Sequence, residues 1–284
     1  NQFEFAPALE RAKQADEVFR AECTGVPWEL STTHAILTMS LWSMGRYREL
    51  AAVAPQVLRE ARERSDVYGS TTITTTGAYA LSIAEDRAEE GAERVQAAMR
   101  EWGQPPFQMQ HFFEMEAMTE LEVYLGGPAA LERLRAGWPD LRRSLLLTTR
   151  SVKFVMLACR ARAALCAAKD DAGERERLVH AAGKDVKAAR PLLKNDACQG
   201  QLDQLEAAVL AARGQAEAAA LKLREAEQQL RDGAMESYAH AAALRRAVLE
   251  GDDDALGRAS DALGGCGVVN PRRYAFLRSP GPWE

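Results

Sequence analysis

The chain has 284 residues, 47% of them hydrophobic and 27% charged, with a formal net charge of −5 and a pI of about 5.6. That is enough apolar side chain for a sizeable core in one or two domains. The acidic balance and the lack of any Lys/Arg block argue against a nucleic-acid surface, and no apolar run is long enough to cross a membrane.

The opening NQFEF carries neither an initiator methionine nor a basic-then-apolar leader, so we expect a cytoplasmic piece of a longer polypeptide with further modules upstream. Phe5, Leu9, Ala12, Ala15 and Phe19 then recur at helical spacing, and Gly25 and Pro27 end that first helix. Gly103 with Pro105 and Pro106, and Gly126-Gly127 with Pro128, read as later stops. The five cysteines, Cys23, Cys159, Cys166, Cys198 and Cys266, are widely spaced with no CxxC. They read as small apolar side chains in a reducing compartment rather than zinc ligands or a dithiol.

One phrase recurs along the chain: a helix of small and aliphatic residues, a tight Gly or Asp turn, and a second amphipathic helix. The turns fall at Gly45, Asp86, Gly127, Asp171, Gly214 and Gly251, at intervals of 41, 41, 44, 43 and 37 residues. A period of about 40 residues is one helix-turn-helix hairpin per repeat. The second helices behave as outer ones. Leu50, Val53, Val57, Leu58 and Ala61 form one stripe, and Ala220, Leu223, Ala226 and Leu230 another, with charges opposite. The fold class predicted is therefore all-α, an α-solenoid of about six tetratricopeptide-like repeats over residues 1–264. Residues 265–284 are predicted to form a C-terminal cap or tail that contains a short helix.

The stretch STTITTTGAYALSIAED, residues 70–86, is written in strand letters but ends on a repeat turn. Its position predicts the first helix of a hairpin. Ile73, Thr76, Ala80 and Ile83 would pack, and Thr72, Thr75, Tyr79 and Ser82 would form a polar stripe facing a groove. Each threonine costs roughly half a kcal/mol in a helix relative to alanine, so tertiary packing must supply the helix.

Catalytic signatures are few. The sequence has no GxxxxGK[ST], no HRD or DFG, and no GxSxG. His111 and Glu114 share one helix face, a weak metal pair that reads more simply as the edge of an aromatic and Met-rich core stripe. Asp252-Asp253-Asp254 resembles half of a DDxxD magnesium box, but sits where aspartates cap a helix. These two features are all that favours an all-helical enzyme. Arg272 and Arg273, beside Tyr274 and Phe276, either dock a neighbouring domain or cap the chain.

Four stretches carry a resemblance: 29–69 with its GRYREL turn, 99–127, 137–165, and GVVNPRRYAFLRSPG near the end. Together they are similar to the C-terminal helical-repeat region of large bacterial multidomain serine/threonine protein kinases, in which kinase and STAND-like NTPase modules precede the repeats. Gly267, Val268, Asn270, Pro271, Arg273 and Pro280 match a family tail that reads like GVxNPxRMxxMLxPGF, while Tyr274 departs from it. The resemblance implies a non-catalytic interaction or sensor module without a cofactor. Its partner would be a protein or peptide in the concave groove, or upstream domains of the same polypeptide. The alternative is a small-molecule-sensing repeat domain. Candidate partner contacts are Thr72, Thr75, Tyr79, Ser82, His111, Glu114, Arg272 and Arg273.

Overall fold

In the computed structural model, which describes residues 3–103 and 106–281, the chain is all-helical, with no strand among the described residues. Pro105 and the last three residues of the expected tail lie outside them.

Helix α1 (Phe5–Glu22) leads into helices that follow one another in pairs. These are α2 (Pro27–Ser43) with α3 (Tyr47–Glu63), then α4 (Val67–Ile73) and α5 (Tyr79–Ala84) with α6 (Ala88–Trp102). Next come α7 (Met109–Tyr124) with α8 (Ala129–Arg143), α9 (Arg150–Asp170) with α10 (Arg175–Ala189), and α11 (Asp196–Ala212) with α12 (Ala216–Asp232). Helix α13 (Glu236–Glu250) with α14 (Asp253–Cys266) precedes a short final helix, α15 (Pro271–Arg278). Every turn read from the sequence falls between the two helices of a pair. Gly45, Asp86, Gly126, Gly214 and Gly251 take positive φ there, and at the remaining turn Asp171 accepts a hydrogen bond from Glu174 N at 3.0 Å. Asp252 and Asn195 cap their helices by accepting from Ala255 N and Cys198 N, for Asp252 the capping role expected of it.

The threonine run is helical. A single π turn, Thr74–Ala78, joins α4 to α5. The hydroxyls of Thr74, Thr75 and Thr76 each donate to the carbonyl four residues back, at 2.7, 2.8 and 2.7 Å. Such bonds compete with the backbone ladder and loosen it, which accounts for the wider turn. Gly77 lies where α2 approaches: a Cβ there would stand 2.5 Å from Thr38 Cβ.

One apolar core runs from Phe5 to Leu277. Cys159, Cys166 and Cys198 are buried within it. The array also turns back on itself. At the α2–α3 turn, Gly45 lies so close to α13 that a Cβ would meet Ser237 Cβ at 2.5 Å. Phe3 packs edge-on against Phe154 of α9, with ring centroids 5.8 Å apart. The C-terminal helix α15 packs against α7, α11, α13 and α14. Two details differ from the sequence reading. Helix α14 continues through Gly264 and Gly265 to Cys266, and α15 is largely buried, with Tyr274, Ala275, Leu277 and Arg278 closed off from solvent.

Candidate functional site

The site is built by the segment that brings α15 into the array. Gly267 takes φ +101 and lies against Tyr47, Val268 is buried, and Val269 N donates to Ala84 O at 2.8 Å. Asn270 caps α15 by accepting from Arg273 N, and Pro271, which has no N–H to satisfy, opens the helix. The Asp86 turn receives this segment. Its carboxylate accepts from Tyr124 Oη at 2.7 Å, Asn270 Nδ2 at 3.1 Å and Arg273 Nη1 at 3.2 Å. Burial pushes Asp86 upward, but the bonds from Tyr124 and Asn270 and the charge of Arg273 outweigh it and hold the group below its ordinary value.

From that anchor α15 carries its side chains into the interior. Tyr274 Oη shares hydrogen bonds of 2.8 Å with Tyr47 Oη and with Ser237 Oγ, which ties the first helix pair to the last. Arg278, completely buried, donates from Nη1 to Glu120 Oε1 at 2.7 Å. Its guanidinium lies 4.0 Å from the ring centre of Tyr238 and 4.9 Å from that of Tyr274. Glu120 also accepts from Arg162 Nη1 at 3.3 Å and from Tyr79 Oη at 3.4 Å. Burial pushes the phenols of Tyr47, Tyr79 and Tyr238 well up, so they act as neutral groups.

Beside this cluster is a cavity of about 150 Å³. Its walls include Phe5, Trp42, Phe112, Phe154 and Met235, and its polar lining includes Glu116, Glu120, Arg162 and Gln201. Glu116 lies one helical turn before Glu120 on α7, and among the described residues none donates a hydrogen bond to it. Burial, aided by the charge of Glu120 and opposed by Arg162 and Arg278, pushes its carboxyl up to about 8. Cys159 also lines the cavity, and burial raises its thiol.

The sequence-predicted residues are distributed unevenly about this site. Thr72, Thr75, Tyr79 and Ser82 are all buried and offer no surface to a partner in this structure. Thr75 spends its hydroxyl on Thr71 O, Thr72 meets Gln110 Nε2 at 3.4 Å, and Tyr79 alone reaches the charged centre. His111 belongs to the start of α7: its Nδ1 accepts from Gln108 N at 3.1 Å and its ring stacks on Phe107. Burial lowers His111 and raises Glu114, and neither lines the cavity. Among the described residues, no three or more His, Cys, Asp or Glu come together to hold a metal. Arg272 is exposed, while Arg273 docks on Asp86.

Sequence reasoning missed Glu116, Glu120, Arg162 and Arg278. A signal was present in each case. In EMEAMTE the carboxylates of Glu116 and Glu120 fall four apart on one helix face among Met and Ala, and Arg162 and Arg278 stand in the apolar runs LACRARAAL and YAFLR. No helix among the described residues is long and apolar enough to cross a membrane. Neither a protein-family model nor a curated protein matches the chain.

Proposed function

We propose that the chain is a non-catalytic sensor module: an α-solenoid of about six tetratricopeptide-like repeats that closes around its own C-terminal helix and binds a small apolar ligand in the cavity beside it. The observation that carries this reading is the cavity of about 150 Å³, walled by aromatic side chains and containing a carboxyl group without a donor among the described residues. Enclosed, mostly apolar pockets with a few convergent polar groups are the usual form of a ligand site. The regular spacing of the turns supports the repeat architecture. The likeness of GVVNPRR to the tails of bacterial kinase-associated repeat regions supports a role in a signalling protein, with upstream domains as the ones informed of binding.

A second reading, recognition of a protein helix, has one observation in its favour. The centre of the array already holds a helix, α15, through Tyr274, Leu277 and Arg278, so a helical peptide could replace it.

A thermal-shift screen with apolar compounds of one aromatic ring tests the first reading. A ligand at a hundred times its Kd adds about 2.7 kcal/mol to stability and raises Tm visibly. A screen without one stabilising compound, alongside binding of a peptide covering residues 267–281 to the chain, would reject the ligand pocket in favour of helix recognition.

A further inference from the structure

The cavity also says what chemistry its occupant should have. We propose that it binds a small organic amine with one apolar ring or a short alkyl chain, the ammonium group being held by Glu116. This rests on the ligand-pocket reading above and names the ligand class.

Two observations point to a cation, and the volume of the cavity sets the size of the ligand. Glu116 is a carboxyl in the pocket to which no described residue donates: the guanidinium groups of Arg162 and Arg278 are both directed to Glu120, at 3.3 and 2.7 Å. Glu116 is half-buried, and its carboxyl, pushed up to about 8, is largely protonated at neutral pH; an ammonium supplies the opposite charge that favours the carboxylate form and donates to it. The walls offer the aromatic rings of Trp42, Phe112, Phe154 and Tyr238, a lining that favours a cation over an anion. The volume, about 150 Å³, is that of a cavity able to take a benzene-sized group.

The groups around Glu116 make the other ligand charges less suitable. A carboxylate ligand would enter beside both Glu116 and Glu120. The Nε–H of Arg162, which also lacks a partner, is sealed within the packing. A neutral alcohol fills the same space and can donate one hydrogen bond, but it brings no charge.

The test is isothermal titration of the whole chain at neutral pH with four near-isosteres: phenethylamine, 2-phenylethanol, phenylacetate and ethylbenzene. The amine is expected to bind about tenfold or more tighter than the alcohol. Glu116→Gln should bring the amine down to the level of the alcohol while leaving the alcohol and ethylbenzene unchanged. An amine no tighter than the alcohol, a tighter phenylacetate, or an amine preference that survives Glu116→Gln overturns the proposal but leaves the pocket itself standing. Failure of all four compounds to bind removes the pocket along with it. Should Glu116→Gln not fold, the wild-type series still decides the charge preference.

Discussion

Arg278→Met would show how strongly the C-terminal helix is built into the fold. The methionine keeps most of the apolar stem and removes the guanidinium, which in the native chain is completely buried against Glu120 at 2.7 Å. Breaking a buried pair by removing one partner costs about 3–5 kcal/mol, because the other charge is left uncompensated. Here Glu120 keeps Arg162 at 3.3 Å and Tyr79 at 3.4 Å, so the loss should fall at the lower end. The contacts with the Tyr238 and Tyr274 rings return about 1 kcal/mol to it. The expected destabilisation is therefore about 3–4 kcal/mol, a large share of the roughly 5–15 kcal/mol that holds a typical domain together. Urea denaturation at pH 7 measures it, with Glu120→Gln and the double variant completing a cycle. Because the two residues share one hydrogen bond, the double variant should lose about 2 kcal/mol less than the sum of the singles. A loss below about 1 kcal/mol for Arg278→Met, or strict additivity in the cycle, would refute the view that this pair anchors α15.

Two further perturbations probe how the ends of the chain are joined. Asp86→Asn tolerates the positive φ of that turn but removes the charge that receives Arg273, and should cost about 1 kcal/mol at pH 7 after allowance for solvent screening. Since the folded group lies below its ordinary value of 3.8, its contribution is present above that pH and is lost as pH falls through the folded value. The gap between wild type and variant in chemical denaturation should accordingly close in acid, and a gap that widens there would count against the assignment. Gly45→Ala combines a positive φ with a clash against Ser237 and should cost about 2 kcal/mol or more, whereas Gly25→Ala, at φ +72 with open space around it, should cost only about 1 kcal/mol. Equal Tm losses for the two variants would show that the α2–α3 turn does not depend on its contact with α13.

Much of the fold was legible because helix ends have local causes. The Gly45, Asp86 and Gly251 turns need residues that accept positive φ, and the buried stripes of α3 and α12 follow from helical spacing alone. Even the threonine run could be assigned from its place between two turns, although the π turn within it depends on hydroxyl-to-carbonyl bonds that spacing does not reveal. The tail GVVNPRR also has local logic: a left-handed glycine, a capping asparagine and a proline at the first helical position. What spacing could not show is where that short helix goes. Its decisive contacts join residues 227 apart, as in Tyr47 with Tyr274, or 158 apart, as in Arg278 with Glu120.

Packing against α2, α3, α6 and α7 explains why the predicted groove residues proved buried. In an open array, small polar side chains on the first helices would line a concave surface. Here that surface faces neighbouring helices, so Thr72, Thr75 and Ser82 are packed: the Thr75 and Ser82 hydroxyls donate to carbonyls one turn back, and Thr72 Oγ1 accepts from Gln110 Nε2. Once α15 brings the buried cation of Arg278 to the centre, a carboxylate must meet it, and Glu120 does so while also accepting from Arg162. Glu116, one turn away on the same helix, makes neither of those hydrogen bonds and receives no donor from the described residues. A carboxyl on the cavity wall to which no described residue donates is open to a ligand. That makes Glu116, rather than the threonine and tyrosine stripe, the residue at which a search for this protein's ligand should begin.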